Sequence, residues 1–436
     1  MRKRAFLLML AASTIFVFAS FAADKPKATT ETPQYGGTLT VRVGWVQTGT
    51  DSFDAIDAPG SAVTMWANPY KEFLAVGDVD KYGPRGSNAY SFGFQEFVPE
   101  QYLKGMLAKS WEWKNPNTLI FYVRDDAGIM WQANEKIGMK ARPFTADDVY
   151  FSLNRYVNSI RGGSKGKGRT PFIDSVERGP GNQVIIHTSS YWADWSYLLA
   201  FGWCTPIYCP EEVAAGAADW RNTTGTGPFK IESYVAGSGA TFVKNPNWWG
   251  TTTVNGKLYD NIPFVDKLVY PIIADESTAI AATRTGKIDL NMVVPLVYEK
   301  TLKSTAPKLV TKKFLGGTNL RLALNNKNEI FKNKNVRRAL MMGTDLNSIA
   351  GALYGDGEIH TYPLITQDIY TPIDELPASQ AELFKYDPVK AKKLLAEAGY
   401  PNGFNAEFIV VNNTTEQDLG AMIVEQWKSL GVNVNL

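Results

Sequence analysis

One stretch limits what this chain can fold into more than any other: Asn222 to Gly250, NTTGTGPFKIESYVAGSGATFVKNPNWWG. Phe229, Ile231, Ser233 and Val235 alternate with Lys230, Glu232 and Tyr234, which is the period of a half-buried strand. Ala236 to Gly239 supplies turn residues and Ala240 to Lys244 a second run, so the segment predicts a β-hairpin. The hairpin is entered through a Gly225-Thr226-Gly227-Pro228 corner and left through Asn245-Pro246-Asn247-Trp248-Trp249. Neither end carries a catalytic pattern.

A chain of 436 residues, 44% hydrophobic and 20% charged, is too long for one compact domain, so two or three folding units are expected. Its N-terminus reads Arg2-Lys3-Arg4, an apolar run from Ala5 to Phe18, and then Ala19-Ser20-Phe21-Ala22-Ala23. That is the three-part pattern of a secretory signal, with cleavage expected after Ala22, and the apolar run is short for a membrane span. Asp24 to Pro33 is a polar, Pro- and Thr-rich tether. Cleavage removes three positive charges and takes the formal charge from +2 to −1, leaving no basic run for counterion-driven nucleic-acid binding. In an exported chain Cys204 and Cys209 are expected either to pair across their four-residue loop or to stay as two buried thiols. With His187 and His360 they make no metal-ligand cluster, and no cofactor is expected.

Thr38 to Val43 is an alternating strand, and Ala108 to Arg124 reads as a second hairpin around Asn115-Pro116-Asn117. Thr145 with Asp148 predicts a capped helix whose Val149, Leu153, Tyr156, Val157 and Ile160 share one face. Asp275 starts a helix that ends at Gly286, followed by a strand from Ile288 to Val294 and another from Asn319 to Asn325. Helices are expected after Asn335 and from Asp387-Pro388 to Gly399, and a last helix carries Leu419, Met422, Ile423, Gln426 and Leu430 on one face. Gly163 to Thr170 nearly matches a phosphate-binding loop, but Arg169 replaces the lysine and the loop follows a helix, so it reads as a solvated surface loop. No nucleophile, base and stabiliser fall into a recognisable arrangement; Asp125-Asp126, Asp147-Asp148 and Glu211-Glu212 are adjacent acids of caps and turns, leaving a glycosidase-like enzyme as a remote alternative.

GTGPFK followed by a hairpin and KNPNWWG resembles a segment of the family 5 extracellular solute-binding proteins, the receptors of oligopeptide, dipeptide and related ABC importers. Blocks of similar order run along the chain: YGGTLTV, LAKSWEWKNPNTLIFYVRDD, RPFTADDVYFSLNRY, ADESTAIAATRTGKIDL, NVRRALMMGTD and YDPVKAKKLLAEAGYPNGF. The resemblance implies an α/β, two-lobed periplasmic-binding-protein fold with an extra domain, its C-terminal part truncated because Val432 to Leu436 begins a strand that lies mid-lobe in the family. The implied organisation is 1–22 signal peptide, 23–34 linker, 35–54 lobe I, 55–182 extra domain II, 183–311 the second part of lobe I, and 312–436 an incomplete lobe III.

As the resemblance has it, the two lobes close over a solute and present it to membrane permease subunits, so contacts must come from both lobes. Gln47, Thr48, Asp51 and Asp54 are the candidates after the first strand, Trp66 and Trp203 candidate apolar or stacking walls, and Asn319 and Asn325 candidates on the third domain. For each, capping or core packing is the competing role. A short peptide is the favoured ligand, held by strand-like backbone hydrogen bonds. An oligosaccharide is the rival, since Trp192, Trp195, Trp203, Trp248 and Trp249 suit sugar stacking and some family members bind sugars. The lipid-attachment cysteine of many such receptors is missing near the cleavage point, so a free periplasmic monomer, not a lipoprotein, is expected. N-terminal sequencing of the exported protein should read from Ala23 in the soluble periplasmic fraction; an intact Met1 in membrane pellets is the opposite result.

Overall fold

The computed structural model of the chain describes residues 32–43, 49–57, 62–84, 86–90, 92, 98–159, 168–202, 205–312, 321–355, 359, 371–411 and 414–436. Strand β1 (Thr38–Arg42) comes first and ends in two buried residues, Val41 and Arg42. A short helix, α1 (Ala62–Ala67), follows. Four strands then pair with one another: β2 (Ala108–Asn115), β3 (Thr118–Val123), β4 (Ile173–Arg178) and β5 (Gln183–Thr188), in the antiparallel order β2-β3-β5-β4. Helix α2 (Ala146–Asn158) packs on that sheet through Val149, Leu153, Tyr156 and Val157, and the expected capping box of Thr145 and Asp148 is formed. The β2–β3 hairpin is also as expected, with Leu119, Phe121 and Val123 buried and Trp111 and Trp113 packed against the same core.

After helix α3 (Pro210–Ala215) the chain returns to β1. β6 (Phe229–Val235) and β7 (Gly239–Lys244) form the predicted hairpin, β8 (Lys267–Pro271) lies beside β1, and β9 (Leu290–Asn291) covers its other edge. The sheet order is β6-β7-β8-β1-β9, with β8, β1 and β9 parallel. Helix α4 (Glu276–Arg284) has its cap at Asp275, which accepts the Thr278 N–H. The third unit holds α5 (Lys334–Met342), α6 (Pro388–Glu397), α7 (Thr414–Lys428) and a parallel pair, β10 (Asn405–Glu407) with β11 (Asn433–Asn435). Its core gathers Val336, Leu340, Leu395, Ile423 and Leu430 around Trp427, whose indole donates to the Thr344 hydroxyl.

Several elements differ from what the sequence predicts. A register shift between Ile231 and Ser233 turns the end of β6 over, so Val235 is 60% exposed while Tyr234 packs on the core; a single extra residue reverses every side chain beyond it. Past residue 182, β5 is bonded on both sides within the four-stranded sheet and Trp195 to Ala217 contribute to that sheet's core. Conversely, Trp66, Ala67 and Tyr70 pack in the core of the five-stranded sheet. The strand expected from Ile288 to Val294 shrinks to Leu290–Asn291, and of Asn319–Asn325 the described residues 321–325 lie in no strand.

The hairpin corner is set by close approach. Gly227 donates its N–H to the Tyr70 carbonyl and Phe229 to that of Pro69, each at 3.0 Å, and a Cβ on Gly225 would overlap the Tyr70 carbonyl oxygen. Gly225→Ala should therefore cost more than about 3 kcal/mol in denaturant unfolding. Gly351→Ala, where nothing lies within 4 Å of a new Cβ in helix Leu346–Tyr354, should gain about 1 kcal/mol from helix propensity. Equal effects at the two sites would contradict the packing argument.

Candidate functional site

The loop that brings β1 to α1 leaves the carboxyl edge of the five-stranded sheet, where ligands of open α/β sheets gather. Three side chains from different elements hold its described part, residues 49–57. The Tyr234 hydroxyl accepts the Thr50 N–H at 2.6 Å and donates to the Thr50 carbonyl at 2.7 Å. The Tyr208 hydroxyl accepts from Ala55 N at 2.8 Å and donates to the Phe53 carbonyl at 3.0 Å. Arg155 of α2 donates to both oxygens of Asp54 and, at 2.6 Å, to Asp57. Phe53 N also reaches the Ala218 carbonyl at 3.0 Å, so the loop is tied to the segment entering the hairpin corner.

Between these two segments lies an open cavity of about 340 Å³, lined among others by Asp51, Phe53, Trp220, Arg221 and Tyr234. Phe53 and Tyr234 meet edge to face at 5.0 Å and form one aromatic side. Asp219 caps the turn below and is held by Arg221 through Nε and Nη2 at 2.6 to 3.1 Å, which lowers its carboxyl to about 2. Lys136 Nζ lies 3.9 Å from the same carboxylate. Asp51 is exposed, and among the described residues its carboxylate has no hydrogen bond or ion pair.

A second polar cluster joins the hairpin to the four-stranded unit. Lys71 and Glu212 form an ion pair with both side chains fully buried, and Lys71 Nζ lies 4.2 Å from the centroid of the Tyr208 ring. Glu212 also accepts from Cys209 N at 3.1 Å and Thr224 N at 2.9 Å. Burial pushes the Glu212 carboxyl up, against the opposing pull of Lys71. The neighbouring Glu72 accepts the indole N–H groups of Trp248 and Trp249, each at 3.0 Å, and burial raises its carboxyl to about 7 against those bonds and Arg124. Cys209 is a free thiol raised to about 12 by burial, its sulfur 3.9 Å from that of Met139. Such a thiol is packing material rather than a nucleophile.

Of the residues singled out in the sequence, Gln47, Thr48, Trp203, Asn319 and Cys204 lie outside the described residues. Asp51 lines the cavity. Asp54 is 6% exposed and engaged by Arg155 and by Ile56 N, so the competing structural role accounts for it. Trp66 is 1% exposed between Tyr234 and Tyr270 and is core rather than wall. Asn325 is exposed and turns its own loop, accepting from Lys327 N. Sequence reasoning missed Trp220, Arg221 and Tyr234 as cavity residues and Arg155 and Tyr208 as loop supports. Only Tyr234 carried a usable signal, its place at the end of a strand on the edge sheet, and the bulge that turns it inward is invisible in a period-two pattern.

The architecture, α/β units around a sheet from whose carboxyl edge the β1 loop leaves, is that of a periplasmic-type binding protein. The model of bacterial extracellular solute-binding proteins, family 5 Middle, matches residues 103–436, and the chain belongs to that family. It is 29% identical over 353 residues to heme-binding protein A of Haemophilus influenzae, covering 76% of this chain and 60% of that protein. It is 26% identical over 336 residues to the oligopeptide-binding protein AppA of Bacillus subtilis, covering 71% and 58%. The chain thus spans about three fifths of the length of these curated relatives. Among solved structures it resembles the ABC transporter-associated periplasmic binding protein DppA from Helicobacter pylori in complex with peptide STSA. The TM-score is 0.69 at 21% identity over 92% of this chain and 74% of the other, a likeness of fold. Among the described residues no helix is long and apolar enough to cross a membrane.

The Glu72 proton yields a pH prediction. Its folded value of about 7 lies above the ordinary 4.5, so the folded chain binds this proton more tightly than the unfolded chain. The resulting stability is fully present below pH 4.5 and is lost as pH rises toward about 7. Each unit of that rise is worth about 1.4 kcal/mol. Glu72→Gln should flatten this part of the stability profile; identical slopes for the two proteins would show that Glu72 does not titrate there.

Proposed function

We propose that this chain is the solute receptor of an ABC importer, exported through residues 1–22, free in the periplasm as a monomer, and specific for a short peptide that it delivers to a membrane permease. It binds and releases its solute without chemical conversion. The family membership carries this reading, since the match runs over residues 103–436. In this reading the five-stranded unit is lobe I, the four-stranded unit is the extra domain, and the α5-to-β11 unit belongs to the facing lobe, with residues 23–34 as linker.

The tryptophans favour a peptide over a sugar. Trp195 is buried, Trp192, 41% exposed, gives one ring face to Phe172 with centroids 5.0 Å apart, and Trp248 and Trp249 are part-buried with their N–H groups on Glu72. Of the aromatics that suggested sugar stacking, only Trp203 lies outside the described residues. AppA of Bacillus subtilis is named for oligopeptides and the Helicobacter pylori protein was solved with a peptide, which supports the same class here. Heme-binding protein A makes heme the second class to test.

Thermal unfolding of the full-length protein should be measured against separate panels of di- to nonapeptides, oligosaccharides and heme. A cognate ligand at 100 times its dissociation constant adds about 2.7 kcal/mol. Stabilisation by one or more peptides alone is expected. Stabilisation by sugars or heme with no response to peptides would replace the ligand class, and turnover of any ligand would overturn the receptor reading itself.

A further inference from the structure

The cavity beside the β1 loop has walls fixed before any ligand arrives. Tyr234 clamps Thr50 through both backbone groups, Phe53 N is bonded to the Ala218 carbonyl, and Asp219 caps Arg221 N at 2.9 Å. At about 340 Å³ the cavity is an open depression with room for a small organic group. Preformed walls spare a ligand the cost of ordering them.

The charges in it are not equivalent. Asp219 is answered by Arg221 at 2.6 Å and by Lys136 at 3.9 Å. Asp51, on the opposite segment, has neither a hydrogen bond nor an ion pair among the described residues, and Phe53, Tyr234 and Trp220 line the space next to it. An unanswered carboxylate beside aromatic rings suits a cation, which gains from both the negative charge and the ring faces.

We propose that this cavity is a subsite for a positively charged organic group, an ammonium or guanidinium on a small apolar body, with Asp51 as its anchor. On the receptor reading above, the subsite selects a basic side chain of the solute. The apolar body lies against Phe53, Tyr234 and Trp220, and the cationic head meets the Asp51 carboxylate at the mouth. Because Asp51 is exposed, the attraction weakens with added salt.

The test uses 2-phenylethylamine, protonated at neutral pH, and its uncharged counterpart 2-phenylethanol, with the full chain at low salt. Saturation-transfer NMR and titration of tryptophan fluorescence should show the amine binding at least about tenfold more tightly than the alcohol. Asp51→Asn should bring the amine down to the level of the alcohol, and Asp51→Glu should keep most of the difference. The exposed position leaves folding intact in both variants, which the unfolding midpoint checks. Equal binding of amine and alcohol, no binding of the amine at millimolar concentration, or an amine preference that survives Asp51→Asn would each overturn the proposal. If no peptide stabilises the protein but the amine binds through Asp51, the peptide reading fails and the subsite stands.

Discussion

The ion pair of Lys71 with Glu212 is the interaction on which the arrangement of the first two units depends. Both side chains are sealed from water, and removing one partner would leave the other charge buried, at a cost of about 3–5 kcal/mol. Glu212 reaches three pieces of chain at once: segment 69–72 through Lys71, the start of α3 through Cys209 N, and the hairpin corner through Thr224 N. Desolvated charges are poor net stabilisers, so the pair acts as a registration device: it is satisfied only when all three pieces are in place. Gln132 and Asn134 add to the seam, donating to the carbonyls of Gly227 and Phe229 and of Arg221 and Thr223.

From that seam the geometry of the cavity follows. The corner that Glu212 and Gln132 fix continues directly from Trp220 and Arg221, and into β6, which carries Tyr234. The opposite side of the cavity is held by the four-stranded unit: Arg155 of α2 grips Asp54, and Tyr208, just before α3, bonds on both sides of Asp54. The four-stranded unit therefore does more than decorate the five-stranded one. It positions the loop that leaves β1, and a change in α2 would reach the cavity through Asp54 without touching any lining residue.

Where local chemistry decides an element, the sequence made it legible. The capping box at Thr145 and the Asp275 cap are each written in a few adjacent residues and appear as read, and the β6–β7 hairpin does so up to the bulge that turns over the end of β6. What depended on partners distant in sequence was harder. β5 looked like a return to the first sheet because nothing in QVIIHT says that its neighbours are β3 and β4. Asp54 looked like a cleft residue because its partner Arg155 lies 101 residues away, and Trp66 because an indole in a core and an indole in a wall are the same letter. Asp51 was legible as a candidate, but its cavity needs Trp220 and Tyr234, which only the folded chain brings beside it.

The tryptophans carry that argument one step further. A side chain with a large apolar body and one N–H serves in a core only if its donor is answered or its exclusion from water is worth the loss. Trp248 and Trp249 answer theirs with a single buried carboxylate, and the acidic partner takes a raised proton affinity in return. Trp66, Trp113 and Trp131 have a buried Nε1 with no hydrogen bond among the described residues, which places packing above polar satisfaction at those sites. Trp66 and Trp131, sealed in the core, are unavailable to a ligand. At the described carboxyl edge the cavity is lined instead by Phe53, Trp220 and Tyr234 beside the Asp51 carboxylate, so on the proposed reading aromatic faces and one charge would act there together.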